Sequence, residues 1–232
     1  MPLLTDWTLE INIDQVLLGQ GANPQIVRAR RPRLVAAAER ALAEGLPLIA
    51  PAVAVGQYAI QEIRHERILL ENRATLSGPL VARQLMSARS IVAMVCTIGP
   101  ALEELSLSYV ESDPIHSLAL YGVGSAAAEA LSTAACQYYS SQAAQAGLLT
   151  TIPLSPGLEG WPVDRGQPEI FRLVDSAAAG VTLLPSFIMR PVKSVSLVIG
   201  LGEQIDTAAR ICDFCSRRET CTFQDHYAQT HH

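Results

Sequence analysis

An α+β fold is what this sequence predicts, on three observations. Helix-period and strand-period segments follow one another in mixed order, without the regular alternation that a doubly wound sheet requires. Hydrophobic residues make up 49% of the 232 and charged ones only 17%, which is too apolar for a disordered chain and ample for the core of one compact domain or two small ones. The longest apolar stretch, Ile91 to Leu102, is interrupted by Thr97, Gly99 and Pro100. It is too short and too broken to span a membrane, and its first part reads as a buried strand.

Taken in order, Pro32 opens and Gly45 closes an Ala- and Leu-rich stretch from Arg33 to Glu44, so start and stop signals agree on a helix. Gly45 to Pro51 breaks the period as a loop or short extended piece. Val53 to Ala59 and His65 to Leu70 are expected strands. Leu76 to Met86, opening at Ser77 and Pro79, is an expected helix, and Ser90 to Thr97 a buried strand. Pro100 to Val110 returns to a helical period with Glu103 and Glu104 outward. Pro114 to Ala146 is Ala-rich with neither Gly nor Pro after Gly124 until Gly147, which predicts a long, closely packed helix. Thr150 to Gly166 reads as an ordered loop, Pro168 to Ala178 as a helix ending at Gly180, Val195 to Ile199 as a strand, and Gln204 to Ile211 as a helix leading into a cysteine cluster.

The charge balance, Lys+Arg 17 against Asp+Glu 22 for a net charge of -5, argues against nucleic acid, because a phosphate-tracking surface needs a cationic excess. The one basic cluster, Arg28, Arg30, Arg31 and Arg33, reads as a solvated helix end. Asp6, Glu10 and Asp14 stand where a signal peptide would be basic and then apolar, so a cytoplasmic location without membrane attachment is expected. The sequence contains no GxGxxG, P-loop, HExxH or GxSxG motif, which removes the main support for dinucleotide, nucleotide, zinc-protease and hydrolase readings. His65 and His116 belong to no catalytic motif and read as structural or surface residues.

Two constellations carry chemistry. Cys212, Cys215 and Cys221 form C-x2-C-x5-C, with His226 five residues further on. Thiolates at this spacing grip one metal from a single turn and leave one ligand to find. Zinc and an iron–sulfur centre fit equally, the fourth ligand being His226, Cys96, Cys136 or an external group. In this polar segment the three thiols have no packing reason to cluster, whereas Cys96 and Cys136 sit in apolar surroundings and read as core residues. The second constellation is the loop from Leu154 through Ser155, Pro156 and Gly157 to Trp161 and Pro162. Rigid Pro-Gly turns hold backbone amides and carbonyls at fixed positions, which suits recognition of a flat heterocycle, or a surface turn packed by Trp161.

The segment Ser186-Phe-Ile-Met-Arg-Pro-Val-Lys-Ser-Val-Ser196 resembles the reactivation domain of cobalamin-dependent methionine synthase, whose stretch has the form S-F-x-M-x-P-x-x-S-V-S. Thr97-Ile-Gly99 with Glu103 and Glu104 is similar to that family's T-G-G-L-E-E turn. Glu129, sixteen residues after Asp113, falls where the family has a glutamate contacting S-adenosylmethionine. Ser155-Pro156-Gly157 matches its adenosine-binding loop, and Asp6-Trp7-Thr8 its N-terminal D-W-T. The likeness runs from about residue 6 to about residue 200.

The resemblance implies a helmet- or C-shaped single α+β domain with a mixed or antiparallel sheet flanked by helices, spanning residues 1–205, followed by a cysteine-rich metal-binding tail over 206–232. It implies S-adenosylmethionine as ligand, held by Glu129, Ser155, Pro156, Gly157 and Asp6, and a corrinoid (cobalamin-binding) protein as partner, whose oxidised cobalt is restored by one electron and a methyl group. Two positions depart from the family loop: Pro153 stands at its arginine and Leu158 at its tyrosine, removing a cationic fork and a phenol. Beyond Ser196 the family's tyrosine pair is replaced by Leu201-Gly202-Glu203-Gln204. Free-standing relatives that accompany corrinoid proteins carry a similar tail, and a cluster there would supply the electron. Two readings follow: a reactivation or methyl-transfer module in a corrinoid-dependent methyltransferase system, or a non-catalytic docking module that has lost S-adenosylmethionine. A lone module without its carrier completes no reaction.

Overall fold

Ser90 to Thr97 lies at the centre of the sheet, and it is apolar at nearly every position because both of its faces are covered. The computed structural model describes residues 2–216 and 218–220. Its elements are β1 (Leu3–Leu4), α1 (Ile13–Gly19), α2 (Pro24–Arg30), α3 (Pro32–Gly45), β2 (Ala52–Arg64), β3 (Arg67–Leu70), β4 (Thr75–Ser77), α4 (Pro79–Gln84), β5 (Ser90–Thr97), α5 (Ala101–Ser108), α6 (Pro114–Gln145), β6 (Leu149–Thr150), α7 (Val163–Phe171), β7 (Thr182–Leu183), β8 (Met189–Arg190) and β9 (Ser194–Gly202).

Seven strands form one antiparallel sheet in the order β4-β3-β2-β5-β9-β6, with β1 against β2. The first half of β2 pairs with β5 and its second half with β3, and a bulge between Ile60 and Glu62 bends the strand between them. The sheet therefore curls into a half-barrel. Val92, Met94 and Cys96 of β5, with Leu197 and Ile199 of β9, face α6 through Leu120, Val123, Ala127 and Leu131. The alternate residues Ile91, Ala93, Val95 and Val198 face the other way, onto Leu80, Ile170 and the fully buried Trp161.

α6 has 32 residues, so it is about 48 Å long and crosses the whole layer. Asp113 caps its first turn by accepting from the His116 amide, and Pro114 sits where no amide is needed. Buried His116 ties this end to α3. Its Nδ1 accepts from Arg40 Nε at 3.0 Å, and its Nε2 lies 2.7 Å from Glu44 Oε2. Near the middle α6 touches α1 backbone to backbone. A Cβ on Gly122 would stand 2.5 Å from the Val16 carbonyl oxygen, and one on Gly19 equally close to that of Gly122.

The expected helices over 33–44, 100–110 and 114–146 and the strands over 53–59, 90–97 and 195–199 form within a few residues of those bounds, β2 and β9 running longer. The loop expected over 150–166 is ordered, with α7 already begun at its end. Other segments differ. α1 and α2 form on local caps at Asn12, with Gln15 completing a capping box, and at Asn23 before Pro24. His65 takes φ 54° in the β2–β3 turn, so the strand begins at Arg67. β4 takes the start of the helix expected from Leu76. The helix expected from Pro168 is α7, which starts at Val163 after extended Pro162, holds Pro168 inside and ends at Phe171. No helix forms over 204–211: Asp206 accepts from the Ala208 amide at 2.9 Å, a local turn that competes with the helix, and a 3-10 turn follows at Ile211–Phe214.

The arginine cluster lies exposed where α2 meets α3, with Arg28 paired to Asp14 at 2.7 Å. Among the described residues no helix is long and apolar enough to cross a membrane. The contact between α1 and α6 gives a test. At an open helical position Gly→Ala gains about 1 kcal/mol of propensity, but Gly122→Ala is expected to lose about 2 kcal/mol in urea denaturation, because its methyl meets α1 backbone that a side-chain rotation cannot clear.

Candidate functional site

The loop after β6 is built as an addition to the sheet. Leu154 and Val198 exchange two backbone hydrogen bonds of 2.9 Å, so Leu154 points into the core while its neighbours Pro153 and Ser155 point the opposite way. The chain then turns through Gly157 (φ 106°), whose amide donates to the Trp161 carbonyl at 2.8 Å. Pro156 packs on Gly166 of α7, where a Cβ would meet it at 2.8 Å. Buried Glu169 holds the far end: its Oε2 accepts from Trp161 Nε1 at 3.2 Å and from the Ser77 amide at 3.1 Å, and its Oε1 from the Ser77 hydroxyl. Trp161 is thus a core residue, and the turn it anchors has little freedom.

Opposite this loop, Ser125, Glu129, Ser132, Cys136 and Ser140 recur every three or four residues along one side of α6. Between helix and loop lies a cavity of about 500 Å³, within the range of small-ligand sites, whose lining includes Glu129 from α6 and Pro153, Ser155 and Leu158 from the loop. Val192, Lys193 and Ser194 close a third side, and Ile211 of the tail contributes to the rim.

The third side is positioned by Glu103. Its Oε1 accepts from Arg190 and its Oε2 from the Val192 amide, both at 2.8 Å, which fixes the chain on either side of the cis Arg190–Pro191 bond. Ser194 Oγ lies 3.0 Å from Thr97 Oγ1 and 2.7 Å from the Pro191 carbonyl oxygen, and Thr97 Oγ1 accepts from the Gly99 amide at 3.2 Å. The stretches around Thr97 and Ser186–Ser196 therefore meet as one clamp at the head of β9. From this clamp Lys193 lies across Gly124, where a Cβ would press on its stem at 3.1 Å. Its Nζ donates to Ser125 Oγ at 2.8 Å and stands 3.0 Å above the Tyr121 ring centre. Lys193 is only 8% exposed, and burial pushes its ammonium down to about 8, opposed by the charge of Glu103.

Glu129 and Ser155 thus share one cavity. Pro156 and Gly157 shape the turn beneath Ser155 and are not among its lining residues. Asp6 is exposed and also outside the lining, although its neighbour Trp7 packs edge-on against Tyr138 of α6 at 6.0 Å. Cys136 lines the cavity with its thiol pushed up to about 12 by burial, and Cys96 is buried in β5, its thiol raised by burial first and by Cys136 second. Both are neutral thiols at neutral pH.

In the tail, the Cys215 amide donates to the Cys212 carbonyl at 3.3 Å, so both half-buried cysteines belong to one turn, as a chelating pair requires. Cys221 and His226 lie outside the described residues, among which no group of three metal-ligating side chains forms. The turn is docked on the body: the Phe214 carbonyl accepts from the Glu159 amide at 2.9 Å, and Arg83 stacks over the Phe214 ring at 4.9 Å. Sequence reasoning passed over Lys193. The signal for it was present, because Lys193 is the only lysine in the chain, every other cationic residue being arginine.

The fold is that of the MetH reactivation domain. A crystal structure of that domain bound to AdoHcy matches with a TM-score of 0.63 at 15% identity, covering 99% of this chain and 90% of that one. No known family profile matches the chain, and no curated protein matches it. The α+β expectation and the resemblance to a methionine synthase reactivation domain therefore hold at the level of fold.

The buried lysine gives a pH dependence of definite sign. Its folded value of about 8 lies below its ordinary 10.5, so between these limits the unfolded chain binds the additional proton and stability rises with pH. The cost of the buried charge is full below the lower limit and gone above the upper. Urea denaturation of wild type and Lys193→Met across this range is expected to show the variant's advantage shrinking steadily as pH increases; a constant difference would contradict it.

Proposed function

We propose that this chain is an accessory module that binds S-adenosylmethionine, or AdoHcy after methyl loss, in the cavity between α6 and the 153–158 loop, and docks on a corrinoid-carrying protein. The observation that carries this reading is the convergence of Glu129 and Ser155 on one cavity, in a fold shared with a domain that binds AdoHcy. The assigned roles follow from residue chemistry. The carboxylate of Glu129 attracts the ligand's ammonium group. Ser155 offers a hydroxyl donor and acceptor to the adenosine, and the turn through Pro156 and Gly157 beneath it holds it in place. Apolar Leu158, Val195 and Leu197 exclude water from the same space.

Docking is supported by the outer side of α6. From Ile115 to Tyr121 its exposed residues are Ile115, Leu118 and Tyr121, each about half exposed, spaced by three and therefore on one side of the helix. This stripe reaches the cavity, since the Tyr121 ring lies under the cavity-lining Lys193. A partner seated there brings its cobalt toward the ligand's methyl group. When bound, the partner's cobalt would take up one electron and that methyl group, and the cavity lined by Glu129 and Ser155 would retain AdoHcy.

In this reading residues 1–205 form the binding module, and residues 206–232 form a metal-binding tail ligated by Cys212, Cys215, Cys221 and His226. An iron–sulfur cluster in the tail would supply the electron, because cluster potentials extend into the strongly reducing range; zinc would make the tail purely structural. A second reading, a docking module that no longer takes S-adenosylmethionine, is favoured by Pro153 and Leu158 lining the cavity where the family loop has an arginine and a tyrosine.

Titration calorimetry separates the two readings. Saturable binding of S-adenosylmethionine and AdoHcy is expected, with Glu129→Gln weakening both by about tenfold, as loss of a charge-assisted hydrogen bond does. No heat with wild type, alongside intact binding to a corrinoid protein, selects the docking reading. For the tail, anaerobic purification is expected to give a brown protein containing iron and sulfide, with the colour lost in Cys212→Ser and Cys215→Ser; a protein holding zinc alone ends the electron-delivery role.

A further inference from the structure

Lys193 stands out among the cations of this chain. The other sixteen are arginines, and this single lysine is placed where a cation costs most, on a cavity wall at 8% exposure. A merely structural cation in such a place would be paired with a carboxylate. Among the described residues none forms an ion pair with Lys193, and Glu103, the acidic group that acts on it, is committed to Arg190 and the Val192 amide. The ammonium has three donors. One goes to Ser125 Oγ, and the face of Tyr121 supports the charge from one side. Both contacts favour the protonated form, and neither neutralises it. The arrangement is that of a cation held ready on a cavity wall, with no counter-charge paired to it among the described residues.

We propose that Lys193 Nζ is the anion-binding group of this cavity and, on the adenosyl-ligand reading given above, forms the salt bridge to the α-carboxylate of the ligand's amino-acid end. Position agrees with this assignment. Ser125, which holds Nζ, precedes Glu129 by four residues, a rise of about 6 Å, so the cation and the carboxylate belong to successive turns on the same side of α6 and line the same cavity. An amino-acid group carries its own carboxylate and ammonium, one for each. The loop has no cation to offer from its side, since Pro153 lines the cavity there, so specificity for the charged end of the ligand falls to the β9 side. Gly124 belongs to the same device: any larger residue would displace the lysine stem from the groove that directs it.

The single lysine makes the test direct, because reductive methylation with 13C-formaldehyde labels only Lys193 Nζ and the α-amine. Lys193→Met is expected to weaken AdoHcy binding by about tenfold or more in calorimetry while leaving 5′-methylthioadenosine, which lacks the amino-acid end, unchanged; Lys193→Arg recovers part of the loss. In the labelled wild type the Lys193 resonance shifts on AdoHcy and stays in place with 5′-methylthioadenosine, a readout that serves even if Lys193→Met does not fold. Equal affinity for AdoHcy in Lys193→Met, or an equal loss for both ligands, overturns the proposal. If wild type binds no adenosyl ligand, the function proposed above fails, and Lys193 is then judged with acetate and inorganic phosphate. A saturable shift with either keeps it as the anion anchor and tells carboxylate from phosphate, whereas no shift with both overturns it.

Discussion

Because β5 and β9 are covered on both faces, the sheet needs a layer of packing on each side, and the site arises where the two layers meet at β9. One layer is α6, a helix long enough to cross the sheet and small enough in its side chains to lie close to it. The other is the assembly of α4, α7 and Trp161, from which the 151–162 loop emerges to bond with β9 through Leu154. Each layer ends in polar groups at the same edge, and the gap between them is the cavity. Fully buried apolar strands of this kind contribute about 25 cal/mol per Å² of apolar surface removed from water, so the layers that hold the cavity are also those that hold the fold.

A small set of polar contacts, the innermost of them buried, converts this packing into defined positions. Glu103 and Thr97 fix the chain ahead of β9, Glu169 fixes Trp161 and with it the loop, and Asp113 with Arg40, Glu44 and His116 fixes the start of α6. In each case a carboxylate or hydroxyl from one element satisfies donors from another far along the chain. Where such groups are buried, as at Glu169 and Thr97, they are costly to leave unpaired, which makes the arrangement close to all-or-none. The exception is Lys193, which is buried with a hydroxyl and an aromatic face and with no ion-pair partner among the described residues, and the exception lies on the cavity wall.

The tail joins the body at two places, Ile211 at the cavity rim and Phe214 against Arg83 and the Glu159 amide. The turn bearing Cys212 and Cys215 is therefore held beside the loop that lines the cavity. The apolar stripe on α6 reaches the same cavity through Tyr121, whose ring lies beneath Lys193.

By itself the sequence determined the kinds of its long elements and the segments that carry the site, because burial on two faces, helix stops and Pro-Gly turns leave local marks, as at Ser90–Thr97, Gly45 and Ser155–Gly157. It was weaker where a few residues decide between alternatives. α1 and α2 rest on single caps at Asn12 and Asn23, α7 begins ahead of its proline, and the Asp206 turn stands where a helix was expected over 204–211. The resemblance around Ser186–Ser196 brought Glu129 and Ser155 forward as a pair, but their sharing of one cavity is a property of α6 and the loop both packing on β9. The surroundings of Lys193 were decided by tertiary structure alone: they are made by Tyr121, Gly124 and Ser125, distant in the chain, and the energy of a buried charge depends on what surrounds it in space.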